Sequence, residues 1–190
     1  MFKKFVVADS IDSIIAPYLG HVYPNGMLLN WNTACAIVVG LTSQIYFDFS
    51  GYSDMAVGIA YLLGFSIPFN FLSPYRAKSI IDGWKRWNIT LTGFIRRYVY
   101  KELKQFHLDW RAKIFLSIML FALWHGPFLN FLLFGLLHAV NLIYVHQMRQ
   151  VFKSERCRVF LLVSEKLNFI LILFLTLPLV RILDLDYYIY

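Results

Sequence analysis

The side chain with the clearest capacity for chemistry is an imidazole. In Leu123-Trp124-His125-Gly126-Pro127, His125 closes one apolar stretch, Ile114 to Trp124, and stands directly before another, Phe128 to Val145. A free imidazole titrates near pH 6.5, so it can accept and return a proton at neutrality. An ionisable group at membrane depth is costly and by default lines a cavity or takes part in a reaction. The competing reading is a core histidine satisfied by a carbonyl. No serine or cysteine lies close to His125 in sequence, so a covalent nucleophile has no local support. His138, thirteen residues on, falls on the apolar face of the next stretch and reads as a packing or pore-lining residue.

The acids divide in the same way. Asp48 and Asp54 bracket Phe49-Ser50-Gly51-Tyr52-Ser53 between two apolar stretches. Either this is a helix–helix turn capped by Asp or Ser, or the acids hold a cavity open by pairing with Arg76, Lys85 or Arg86. Glu165 and Lys166 interrupt the last apolar stretch, and as neighbours they project differently from a helix and do not pair by spacing. Between Arg76 and Lys113 stand ten Lys/Arg against three acids, the whole of the +7 excess. Such a basic, aromatic-rich run beside apolar spans predicts a cytoplasmic, headgroup-facing element, and excludes nucleic acid as the partner of so apolar a chain. Lys85, Arg86, Arg96 and Arg97 within it are also placed to steer an anionic donor. Cys35 and Cys157 are far apart and have no metal-ligand spacing.

The elements that must position these groups are membrane helices. The 190 residues are 59% hydrophobic and 18% aromatic, with a mean hydropathy of +0.58, more than a soluble core requires. The fold class expected is all-α and polytopic. Residues 1–26 read as an interfacial lead-in with turns at Pro17, Gly20, Pro24 and Gly26, and the apolar run before Asp9 is too short for a cleaved signal peptide. Span candidates are Met27 to Phe47, Asp54 to Phe69, Ala112 to Trp124, Phe128 to Val145 and Val159 to Leu183. From Ser79 to Leu103 apolar residues recur every three or four positions, which predicts an amphipathic interfacial helix. Gly126 and Pro127 break the helix at His125, and such a break at membrane depth is tolerated only in protein or beside a cavity. If the first two spans form one hairpin and 112–145 another, residues 1–26, 76–113 and the basic segment Gln147 to Arg158 share the cytoplasmic side.

Four ordered strings carry a resemblance: Gln44-Ile45-Tyr46-Phe47-Asp48-Phe49-Ser50-Gly51-Tyr52-Ser53-Asp54-Met55-Ala56, Asn70-Phe71-Leu72-Ser73-Pro74-Tyr75, Trp84-Lys85-Arg86-Trp87-Asn88-Ile89-Thr90-Leu91-Thr92 and Leu123-Trp124-His125-Gly126. Together they resemble the membrane-bound O-acyltransferases, in particular the bacterial branch that acetylates alginate or D-alanylates teichoic acids. The match is best over residues 3–145 of what reads as a single membrane domain. Met1 to Asp9 resembles an internal family segment, so the chain reads as a fragment. Two departures stand out. Asn88 occupies a position where the polysaccharide branch has histidine, and Arg96-Arg97-Tyr98 is followed by Lys101-Glu102-Leu103-Lys104 where that branch has a Gly-Gly-Asn-Arg loop.

The resemblance implies that His125 is the catalytic residue and Asn88 its polar companion. His125 would take the proton of a sugar hydroxyl that attacks the acyl carbonyl directly, and the Asn88 amide would polarise that carbonyl or orient the acceptor. Asp48, Asp54, Trp84, Lys85, Arg86, Trp87 and Trp124 are the expected substrate-binding residues. No bound cofactor or metal is implied; the acyl donor is acetyl-CoA or an acyl carrier at the cytoplasmic face. The expected partners are membrane lipid, a periplasmic acetyltransferase and a chain supplying further N-terminal helices, in a multi-pass inner-membrane setting.

Overall fold

The structure, a computed structural model, describes residues 1–22, 30–152 and 155–184, with side chains throughout these except at 20–22, 155–162 and 179–184. The expected turns at Pro17 and Gly20 are absent, because the helix Asp9–Val22 runs through both; those at Pro24 and Gly26, the start of a span at Met27, and the side chains of Lys153, Glu155, Arg156, Cys157 and Arg158 lie outside the described residues. The described residues form helices joined by loops, without strands. They divide into two compact units: Met1–Phe69 with the chain from Leu177 onward, and Asn70–Thr176.

In the first unit a wide helical turn, Phe2–Ala8, leads into α1, Asp9–Val22, and α2, Trp31–Leu62. Asp9 and Asp12 lie in the first turn of α1, where the helix dipole favours them. Asn30 caps α2 by accepting the Thr33 N–H at 2.8 Å. Ile15 and Leu19 of α1 bury against Ile37 and Leu41 of α2.

The expected hairpin across residues 48–54 is absent, because α2 runs unbroken through them for 32 residues, about 48 Å at 1.5 Å per residue. The polar string does not need a turn to satisfy it. Ser50, Gly51 and Ser53 are buried, and a Cβ on Gly51 would fall 2.8 Å from the Lys4 backbone nitrogen, so the glycine lets the Phe2–Ala8 turn lie directly on the helix. From that turn Lys4 pairs with Asp48 and Lys3 pairs with Asp54 at 2.7 Å, also donating to Ser50 Oγ at 3.0 Å. α2 ends where Gly64 takes φ +82° and the Phe65 N–H reaches back to the Ala60 carbonyl at 2.8 Å, a left-handed glycine stop. Residues 65–69, expected in a second span, are not helical.

The second unit is organised by three long helices: α5, Trp110–Trp124, α6, Leu129–Val151, and the described part of α7, Glu155–Asp184, that falls within it. α5 and α6 fold back antiparallel. Gly135 of α6 faces α5 so closely that a Cβ there would lie 2.6 Å from that of Ala122, and at the far end the Trp110 and His146 rings are 5.9 Å apart. α6 and α7 are also antiparallel, joined by three polar rungs. His138 Nε2 lies 3.0 Å from Thr176 Oγ1, Asn141 donates to Asn168 at 2.7 Å, and Arg149 pairs with Glu165. Helices in lipid use such interhelical hydrogen bonds as glue.

Ser79 to Leu103 does not form one amphipathic helix. It contains α3, Ile80–Trp84, and α4, Ile89–Phe94, then a wide turn, Ile95–Tyr100, and a tight one, Glu102–Phe106. The interruption has a local cause: Asn88 adopts φ 45°, ψ 55°, a left-handed conformation that asparagine tolerates and a continuing helix does not. Ser79 caps α3 through the Asp82 N–H at 3.2 Å, while Arg149 Nη2 donates to the same hydroxyl at 3.1 Å. A Cβ on Gly83 would run into the Phe169 ring of α7, so the glycine sets how closely α3 approaches. Glu165, which spacing left without a partner, is 3% exposed and neutralised by Arg149.

Among the described residues, α6 alone is long and apolar enough to cross a membrane by length and composition. α5, with 15 residues, is about 22 Å long, short of a roughly 30 Å hydrocarbon core.

Two outcomes follow from these contacts. Gly51→Ala is expected to push the Phe2–Ala8 turn off α2, an overpacking cost of about 1–3 kcal/mol, lowering the melting temperature in detergent and exposing Lys3 and Lys4 to trypsin; unchanged melting and proteolysis would mean the turn does not rest on Gly51. Burial pushes the Asp82 carboxyl up, but the Arg86 guanidinium at 2.9 Å and the Lys78 N–H at 3.1 Å outweigh it and hold the group below its ordinary 3.8. A depressed carboxyl stabilises the fold above its unfolded pKa and loses that contribution as pH falls through the folded one. Tryptophan emission should therefore stay flat from neutrality to about pH 5 and change below about pH 4, and Asp82→Asn should remove that acid transition; a transition of equal size in the variant would assign it elsewhere.

Candidate functional site

Two of the sequence strings form one substructure. The Ile89 N–H donates to the Asn70 carbonyl at 3.0 Å, and the Thr90 N–H and Oγ1 donate to Asn70 Oδ1 at 3.1 and 2.6 Å. The Leu72 N–H donates to the Arg86 carbonyl, and Arg86 Nη1 returns a bond to the Leu72 carbonyl at 3.2 Å. Trp87 packs edge-on to Phe71 with centroids 5.2 Å apart. Asn88 sits inside this lacing, 4% exposed and starting α4. The Asn88 amide is therefore not a solvent-exposed group on an amphipathic helix.

His125 caps the C-terminus of α5, its N–H donating to the Ala122 carbonyl at 3.0 Å. Gly126, at φ +135°, then turns the chain towards α6 with the Phe128 ring against it. The imidazole is exposed and walled by aromatic rings: Trp124 at 4.7 Å, Phe131 stacked at 5.3 Å with an interplanar angle of 20°, and Phe121 at 5.6 Å. Trp124 is itself exposed.

Trp84 joins α3 to this hairpin. Its ring meets Phe121 edge-on at 4.8 Å and His138 at 5.5 Å, so Phe121 stands between Trp84 and His125. Trp84 Nε1, Ser117 Oγ and His138 Nδ1 are buried without a hydrogen-bond partner.

The other expected site residues fare differently. Lys85 is exposed at the end of α3, whereas Arg86 is committed to Asp82 and the Leu72 carbonyl, and so holds the loop. Asp48 and Asp54 belong to the first unit, where Lys4 and Lys3 replace the expected partners Arg76, Lys85 and Arg86. Hydrogen bonds donated to Asp48 and then to Asp9 hold the Lys4 ammonium above its ordinary pKa. Sequence reasoning missed the rungs between α6 and α7. A usable signal was present, because Glu165 in an apolar stretch demands a cation, and Arg149 was available one helix earlier.

The family model for the membrane-bound O-acyltransferases matches residues 17–180, beyond the 145 at which the sequence resemblance fades. The chain is 36% identical over 145 residues to a peptidoglycan O-acetyltransferase of Helicobacter pylori, covering 75% of this chain and 27% of that protein. It is 39% identical over 143 residues to a probable alginate O-acetylase, AlgI, of Pseudomonas aeruginosa, covering 73% and 26%, and 31% identical over 151 residues to a teichoic acid D-alanyltransferase of Bacillus subtilis, covering 72% and 36%. The chain thus spans between 26% and 36% of the length of these three relatives. With a family match running from residue 17 to residue 180, this chain belongs to the membrane-bound O-acyltransferase family.

Proposed function

We propose that these residues form the reaction centre of a multi-pass inner-membrane acyltransferase, a single membrane domain that passes an acyl group, acetyl in the first instance, to a hydroxyl of an envelope polysaccharide such as alginate. The observation that carries the reading is His125: an accessible imidazole at the mouth of the α5–α6 hairpin, walled by Phe121, Trp124 and Phe131. The relatives named above transfer acetyl or D-alanyl groups, which supports the acyl class and leaves the acceptor to experiment. The multi-pass setting is supported by α6 and by the apolar side chains exposed along α2 and α7, among them Val39, Ile59, Leu167 and Leu171. In that setting the break between α5 and α6 lies at membrane depth, beside a passage for the acyl group.

His125 acts as general base. Its neutral ring takes the proton of the acceptor hydroxyl as the oxygen attacks the acyl carbonyl, and returns it to the departing thiolate of acetyl-CoA or an acyl carrier. The stacked Phe131 face favours the transient imidazolium. Asn88, held by the 70–72 lacing, offers its amide to the carbonyl oxygen or the acceptor. Trp84, Trp87 and Trp124 form walls for the substrates, and Lys85, exposed at the end of α3, attracts the anionic donor, while Arg86 holds the loop that carries Asn88. A periplasmic acetyltransferase and further helices complete the assembly in lipid.

The test is the acetyl-ester content of envelope polysaccharide in cells lacking the gene, complemented at matched membrane levels and with the upstream reading frame present. Wild type should restore it, His125→Ala should lower the rate by about 100-fold or more, and Asn88→Ala should lower it less. Full restoration by His125→Ala would reject the general-base assignment; no effect of the gene in any form would reject the enzymatic reading.

A further inference from the structure

The Thr176 hydroxyl donates to the Ile172 carbonyl at 2.7 Å within its own helix. Its proton is thereby committed, and the oxygen facing His138 Nε2 at 3.0 Å can only accept. A hydrogen bond there requires the proton on Nε2, and a neutral imidazole protonated at Nε2 carries a bare lone pair on Nδ1. That Nδ1 is buried and has no partner. Facing the same imidazole at 85°, with ring centroids 5.5 Å apart, is Trp84, whose Nε1–H is also buried and without an acceptor.

One lone acceptor and one lone donor on neighbouring rings are expensive when empty, since each has lost its water. Their hydrogen-bonding needs are complementary. A hydroxyl group donates to Nδ1 and accepts from Nε1–H at once. A carbonyl or carboxylate oxygen would set its lone pair against that of Nδ1, and an ammonium would set its protons against the indole N–H.

We infer that Trp84 and His138 form a seat for a single hydroxyl group, of an alcohol or of water, with Thr176 as the positioning residue that fixes the tautomer. The seat reaches His125 through Phe121, which touches both Trp84 and His125. An alcohol seated there gives its proton to His138 and lies a ring away from His125, so it is a second hydroxyl of the acceptor, held apart from the one that reacts. The alcohol source rests on the acyltransferase reading; the seat itself does not.

The seat is tested by nitrogen-15 NMR of the full chain in lipid nanodiscs with labelled histidine. His138 should be protonated at Nε2 and carry a hydrogen-bonded Nδ1. Trp84→Phe, which removes the N–H and keeps an aromatic ring, should shift the Nδ1 signal, and Thr176→Val should yield a mixture of tautomers. A wild-type His138 protonated at Nδ1, or an Nδ1 signal indifferent to Trp84→Phe, overturns the proposal. A hydrogen-bonded Nδ1 that ignores added alginate oligosaccharide identifies the occupant as water; one that shifts on its addition, and fails to do so in Trp84→Phe, identifies an alcohol. In the alcohol case Thr176→Val should raise the KM for the oligosaccharide about fivefold, the scale of one hydrogen bond, and more than it lowers kcat, whereas His125→Ala abolishes kcat. If no acyl transfer occurs at all, the catalytic reading fails and the NMR measurement still decides the seat.

Discussion

Glu165 is 3% exposed in an otherwise apolar helix, where an unpaired carboxylate would cost about 3–5 kcal/mol. Arg149 of α6 removes that cost with Nε and Nη2 both on the carboxylate, and Nη2 also reaches Ser79 at the start of α3. One guanidinium thus sets the register of α6 against α7 and locates a short helix that could not hold itself in place. Once 149 stands opposite 165 in an antiparallel pair, Asn141 meets Asn168 and His138 meets Thr176 further along the same seam. The second unit therefore depends on a charge that apolar surroundings oblige to find a partner.

Close approach is the complementary device. Gly135 brings α6 onto Ala122 of α5, Gly83 brings α3 onto Phe169, and Gly51 brings the N-terminal turn onto α2. Helices in lipid gain little from burying apolar surface, so small residues and paired polar atoms carry the packing. Both devices converge on Trp84: Gly83 sets how near its helix can come, Ser79 and Arg149 set where that helix begins, and Phe121 and His138 receive the ring.

The residues proposed to carry the chemistry sit where this packing is interrupted. α5 stops at Trp124 and α6 starts at Leu129, leaving His125 at a helix end with its ring accessible between aromatic walls. Asn88 is likewise at an interruption, in a left-handed conformation secured by backbone bonds from residues 70–72 and their partners. A side chain on a break between rigid helices is held in position without being sealed by its own element.

Much of this was legible in the chain itself. Apolar content and the strings around Asp48, Asn70, Trp84 and His125 determine the helical class and the family, and they point to the two residues proposed for the chemistry, because composition and local motifs are properties of neighbouring residues. The stop after Trp124 is equally local, since Gly126 and Pro127 end a helix wherever they stand. What sequence could not decide were the questions answered by residues far away along the chain. Whether Asp48 to Asp54 turns or continues depends on Lys3 and Lys4, more than forty residues earlier; whether Ser79 to Leu103 is one helix depends on who binds the backbone around Asn88; whether Glu165 is tolerable depends on Arg149. The tautomer of His138 depends on a hydroxyl 38 residues on. In each case a polar group had to be satisfied, and only the tertiary structure decided by whom.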